Sequence, residues 1–106
     1  MKKILICDDD HDLLELTTLV LQREGFQVEI LDDSRNVVND VNRIAPDIIL
    51  MDLWMPEVQG DDAIKLLKEN HKTQHIPVIL FSAYPKLEQI ANVKQIKLCV
   101  LVPSWY

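Results

Sequence analysis

Three aspartates in a row, Asp8-Asp9-Asp10, follow the run Lys3-Ile4-Leu5-Ile6-Cys7, and a single aspartate, Asp52, follows a second run, Ile48-Ile49-Leu50-Met51. Carboxylates held close together repel one another. One pair about 4 Å apart, at an effective dielectric near 20, costs on the order of 4 kcal/mol. Such a cluster persists when a cation neutralises it, when a proton is shared or when water screens it. Oxygen-only donors select hard cations, and a site that must also admit a phosphate suits Mg2+. A Mg2+ joining Asp9 and Asp52 could polarise an incoming phosphoryl group, and Asp52 would be the nucleophile that forms an aspartyl phosphate. Ser82, just after Ile76-Pro77-Val78-Ile79-Leu80-Phe81, could hydrogen-bond a phosphoryl oxygen on Asp52. Each residue alone has a plainer role: a lone aspartate or serine after a strand is usually a cap or loop residue, and Pro56 and Gly60 are most simply turn residues. Order and position favour the joint role. All three features fall at carboxyl ends of predicted strands, where open α/β sheets place their ligands.

The elements that must position these groups follow from the hydrophobic pattern. The run 48–51, entered through Pro46-Asp47, predicts a strand buried on both faces, as in a parallel sheet. Residues 3–7 predict another. From Asp12 to Arg23, apolar residues at 13, 14, 16, 20 and 21 predict a helix that Gly25 stops. Phe26 to Leu31 alternates apolar and polar, which marks a half-exposed strand near an edge. Asp32-Asp33-Ser34 is a turn and cap cluster. Val37, Val38, Val41 and Ile44 space as a second helix, ended by Pro46. Gly60 suits a positive φ, and Asp61 and Asp62 would cap a third helix with Ala63, Ile64, Leu66 and Leu67 inward. Strands at 76–81 and 97–102 flank a fourth helix from Pro85 to about Gln95. Strands alternating with helices on short loops imply a doubly wound five-stranded parallel sheet with helices on both faces.

Composition bounds the function. A chain of 106 residues, 48% of them hydrophobic, is one domain with a packed core. Lys and Arg number 11 against 17 Asp and Glu, a net charge of −6. That balance argues against direct nucleic-acid binding, which needs a basic face. No apolar run approaches 18 residues, so no membrane helix is expected. Asp8 to Asp10 interrupts the amino-terminal apolar run too early for a signal peptide, which leaves the cytoplasm as the expected compartment. Cys7 and Cys99 lack metal or redox spacing and are expected as buried thiols.

As an ordered set, Lys3-Ile-Leu-Ile-Cys-Asp-Asp-Asp10, Pro46-Asp-Ile-Ile-Leu-Met-Asp-Leu-Trp-Met-Pro56 with Gly60, and Ile76-Pro-Val-Ile-Leu-Phe-Ser-Ala83 resemble the receiver domains of two-component response regulators, the CheY-like family. The resemblance implies a flavodoxin-like sheet in the order 2-1-3-4-5 and a single receiver domain over 1–106. It implies that Asp52 is the phosphoacceptor. Asp8, Asp9 and Asp52 would hold Mg2+, Asp8 acting through water and the backbone carbonyl of Trp54 completing the set. Ser82 matches the family's switch hydroxyl, with Pro56 and Gly60 in its loop. The implied partners are a sensor histidine kinase or phosphotransfer protein and a downstream protein target. No direct contact with nucleic acid or a membrane is expected.

The likeness stops after Ala91. Where the family carries a phosphate-binding lysine and then a proline, this chain has Val102-Pro103, so no such lysine is found. Cys99 falls near the family's switch aromatic. Lys97 stands too early on the strand to replace the lysine without a register shift. No fifth helix follows, which would leave an uncovered apolar face open to a second copy of the chain. The first expectation is a phosphorylation-controlled switch, not an enzyme beyond marginal self-dephosphorylation. The alternative is a pseudo-receiver, an interaction module with little phosphotransfer. A small hydrolase with an aspartate nucleophile is disfavoured, because Asp52-Leu53-Trp54 lacks the Asp-x-Asp spacing of that chemistry.

Overall fold

A computed structural model of the chain describes residues 1–53, 55, 58–83 and 97–102, the residues 82, 83 and 97–102 by their backbone alone. The elements in chain order are β1 (Lys3–Cys7), α1 (His11–Arg23), β2 (Gln27–Leu31), α2 (Val37–Ile44), β3 (Ile48–Asp52), α3 (Gly60–Glu69), β4 (Val78–Ala83) and β5 (Lys97–Val102). The fourth helix expected over 85–95 lies outside the described residues.

The strand order is β2-β1-β3-β4-β5, as expected. β2, β1, β3 and β4 are parallel to their neighbours. The fifth strand departs from expectation: it runs antiparallel to β4, with Ala83 level with Lys97 and Val78 level with Val102. The sheet is therefore four parallel strands with one antiparallel edge, not five parallel strands. A parallel strand needs a crossover of a dozen or more residues along the sheet's full height, whereas a strand that starts beside its neighbour's end needs none. Residues 84–96 separate the two strands, close to the minimum for a crossover.

Alternation along the buried strands divides the core in two. Leu5, Cys7, Ile49, Met51 and Val78 face α2 and α3 and pack with Val41, Ile64 and Leu67. Ile4 and Ile6 face the other way, toward Leu14 of α1, with Ile48 and Leu50 half-buried beside them. The Pro46-Asp47 entry to β3 locks the central pair of strands. The Asp47 carboxylate accepts from the Lys3 amide at 2.8 Å, the Asp47 amide donates to the Lys3 carbonyl at 2.8 Å, and Lys3 Nζ donates to the last carbonyl of α2, that of Ile44, at 2.9 Å.

Of the helix caps, that of α3 differs from the pattern-based expectation. α1 is capped by Asp10, whose side chain accepts from the Leu13 amide at 3.2 Å. α3 begins at Gly60 with Gln59 as its cap residue, so Asp61 and Asp62 sit inside the first turn, where they favour the positive end of the helix dipole. The left-handed position expected of Gly60 falls instead at Gly25, with φ 91°, and at Ala45, with φ 53° at the end of α2.

Candidate functional site

β1 and β3 are parallel neighbours with Cys7 level with Met51. The next residue on each, Asp8 and Asp52, therefore leaves the sheet at the same height and on adjacent strands. Both are buried, at 1% and 6% exposure. Asp9, exposed, joins them: Asp8, Asp9 and Asp52 each offer an oxygen, and the three atoms lie within 4.8 Å of one another. The three acids singled out in the sequence thus form one cluster at the carboxyl edge of the sheet.

The turn after β1 shapes this cluster. One Asp8 oxygen accepts from the Asp10 amide at 3.0 Å, while the other, Oδ2, is buried and has no hydrogen-bond partner among the described residues. Burial pushes the Asp8 carboxyl above the usual carboxylate range, and the charges of Asp9 and Asp10 push the same way, against the Asp10 amide and the Asp52 side chain, which pull it back. A buried oxygen with a vacant lone pair, in an all-oxygen donor set, fits a hard cation and no soft one. The donor set and the orphaned atom both fit Mg2+.

Behind Asp52, Gly60 explains itself sterically. A Cβ built on Gly60 would fall on the Asp52 carbonyl oxygen and lie 2.8 Å from Leu53 Cα. The Gly60 amide donates to the Leu53 carbonyl at 2.9 Å, closing the loop that leads from Asp52 into α3. Close backbone approach, not a positive φ, is the reason for glycine here. Met55 buries itself in the core beneath that loop. Trp54 and Pro56 lie outside the described residues.

Ser82 follows Phe81, which is level with Asp52 on the neighbouring strand. Its backbone thus sits at the correct end of the sheet beside the cluster. Val102 does not. Antiparallel pairing sets it level with Val78, at the opposite edge from Asp52, so the residue read as occupying the lysine's place has no place in this site. The same reversal sets Lys97 level with Ala83, at the carboxyl edge of β4. A parallel fifth strand, as expected from the sequence, would have turned its other end toward the cluster.

Ser34 escaped the sequence argument as more than a turn residue. It is buried, and its hydroxyl donates to the Val58 carbonyl at 2.5 Å, across 24 residues of chain. Its neighbours Asp33 and Arg35, paired to each other at 2.6 Å, give no signal of that contact.

Comparison with known proteins agrees with this geometry. The chain matches the family described as the response regulator receiver domain over residues 4–100. It is 37% identical to the phosphate regulon transcriptional regulatory protein PhoB of Klebsiella pneumoniae over 77% of this chain and 36% of PhoB. Among solved structures, the signal receiver domain of a signal transduction histidine kinase from Syntrophus aciditrophicus is 28% identical and superimposes with a TM-score of 0.74, over 86% of this chain and 72% of that one. The receiver domain of the sensor histidine kinase PA1611 from Pseudomonas aeruginosa PAO1, with a magnesium ion coordinated in its active site cleft, is 24% identical with a TM-score of 0.70, over 74% of this chain and 65% of that one. The chain spans about a third of the length of the curated relatives it matches. With residues 4–100 matched and the acidic cluster at the edge of a 2-1-3-4 parallel sheet, the chain belongs to the receiver domain family of two-component response regulators.

Proposed function

We propose that Asp52 accepts a phosphoryl group from a phosphohistidine of a sensor kinase or phosphotransfer protein, and that the change is read by a partner protein. The observation that carries this reading is the pairing of Asp52 with Asp8, a buried carboxylate with a partnerless oxygen, at one level of adjacent strands. An oxygen of Asp52 attacks phosphorus, a P–O bond forms, and the P–N bond breaks with its electron pair returning to the donor's imidazole. Asp8, Asp9 and Asp52, with the Trp54 backbone carbonyl, would hold Mg2+, which when bound neutralises the carboxylates and the transferring group. Asp8 and Asp9 stay in place throughout. The Ser82 hydroxyl is the donor proposed for a phosphoryl oxygen. The magnesium ion in the PA1611 receiver supports the cation assignment by likeness of fold. The protein acts as a switch, with self-dephosphorylation its only turnover.

PhoB is by its name a transcriptional regulator, and this chain covers about a third of it. The output proposed for these 106 residues, whose net charge is −6, is contact with a protein. Among the described residues no helix is long and apolar enough to cross a membrane. The proposed compartment is the cytoplasm.

One observation favours a second reading, a pseudo-receiver: the strand end that supplies the family's lysine lies at the far edge of the sheet. Incubation with acetyl phosphate and Mg2+, followed by intact mass, separates the two. The first reading expects a phosphate adduct on the wild type and none on Asp52→Asn. An unmodified wild type would leave the pseudo-receiver.

A further inference from the structure

We propose that Ser34 is a positioning residue for the magnesium site: its hydroxyl, through the Val58 carbonyl, holds the loop that follows Asp52 in its cation-binding position. This rests on the magnesium reading above. The loop from Leu53 to Gln59 joins Asp52 of the acidic cluster to α3, and its described parts are fixed at three points. Met55 is sunk in the core, the Gly60 amide closes the loop's base onto the Leu53 carbonyl, and Val58 packs against the core while its carbonyl accepts from the Ser34 hydroxyl. Met55 anchors the loop to the core by packing, and Gly60 closes its base. Ser34 adds a hydrogen bond to the turn after β2.

Behind Ser34 runs a series of local contacts. The Ser34 carbonyl accepts from the Val37 amide at 3.2 Å, and Asp33 holds Arg35 through both its amide and its guanidinium, at 2.8 and 2.7 Å. Asp32 reaches His11 at 3.1 Å, and His11 begins the helix that Asp10 caps. Asp10 in turn donates its amide to Asp8. The contacts thus run in a ring: from the loop after Asp52 to Ser34, through the turn after β2 to α1, and back to Asp8 beside Asp52. A buried serine in such a ring fixes the distance between two loops that both contribute to one site. Removing its hydroxyl leaves the Val58 carbonyl without that donor and frees the loop's outer limb.

The test is a Mg2+ titration followed by Trp54 fluorescence in a Trp105→Phe background, with thermal melts on the same samples. Ser34→Ala is expected to bind Mg2+ roughly tenfold more weakly, the scale for groups that orient metal ligands. Its labelling by acetyl phosphate should be slow at low Mg2+ and return to the wild-type rate at saturating Mg2+. Leu14→Ala, a core change on the other face of the sheet, should lower the melting temperature and leave the Mg2+ affinity unchanged. Should Ser34→Ala not fold, Ser34→Cys keeps the size with a weaker donor and should shift the affinity in the same direction by less. A Ser34→Ala protein that melts lower yet binds Mg2+ as the wild type does overturns the inference and leaves Ser34 a folding contact. A wild type whose fluorescence ignores Mg2+ overturns the magnesium reading itself.

Discussion

Asp8 keeps a buried carboxylate oxygen without a partner next to two more carboxylates, so neutralising it has opposite effects with and without a cation. In chelator, Asp8→Asn removes the burial of a charge and its repulsion by neighbouring carboxylates, and should stabilise the fold. In Mg2+, the wild type should gain thermal stability by mass action and the variant should not. Paired melts check both; an equal Mg2+ gain in the variant would remove Asp8 from the site. Cys7, one residue earlier, titrates at the alkaline end. Burial pushes its thiol up to about 12, and the charges of Asp40 and Asp8 add to the shift. Since the folded value lies above the ordinary 9.0, the native state holds this proton more tightly than the unfolded chain does. Its contribution to stability is full below pH 9 and is lost as pH rises toward 12. At pH 8 a thiol reagent should modify Cys7 only after unfolding, which peptide mass mapping reads directly. Gly60→Ala forces a methyl into the Asp52–Leu53 backbone and should cost about 1–3 kcal/mol, the usual scale of overpacking. It should also slow acetyl phosphate labelling, because the displaced backbone is that of the acceptor. Chemical denaturation and labelling rates measure the two effects.

Among the elements, β1 to β4 and the three described helices follow the hydrophobic pattern closely, because the inner strands are continuous apolar runs, β2 alternates and each helix carries one apolar stripe. The acidic cluster was legible for the same reason: strand ends are sharp when an apolar run meets an aspartate. The direction of β5 was not legible. Lys97-Leu-Cys-Val-Leu-Val102 has nearly the same apolar character read either way, and period-2 alternation carries no sense of direction. Nor was the Ser34–Val58 contact, since a lone serine in a turn has no pattern that points 24 residues ahead. The orientation of β5 has a consequence for charge. With Lys97 level with Ala83, a lysine stands at the same edge of the sheet as Asp52, although it enters from the opposite direction. Lys97→Met is expected to slow labelling by acetyl phosphate roughly tenfold or more, by analogy with removing one charged contact worth about 1.5–3 kcal/mol. An unchanged rate would mean that β5 brings no counter-charge to the acceptor.

Across the whole molecule, the two faces of the sheet are unequally covered. One carries α2 and α3; among the described residues the other carries only α1, beside which Ile48 and Leu50 are half-buried. α1 itself exposes Leu16, Leu19 and Val20 at 60%, 55% and 52%. Apolar surface of this kind predicts concentration-dependent self-association. Sedimentation should show a species larger than the monomer at high concentration, and Val20→Glu should return it to the monomer without altering Asp52 labelling. The antiparallel seam also bears on how the molecule opens. β1 and β3 are held on both sides and β4 sits between β3 and β5, whereas β5 is hydrogen-bonded to β4 alone. Its pairing needs no crossover and can be lost without disturbing a single parallel ladder. Native-state hydrogen exchange should therefore release the β5 amides at a free energy well below that of global unfolding, with β1 and β3 amides exchanging last. The domain would then breathe at one edge while the strands bearing Asp8 and Asp52 stay closed.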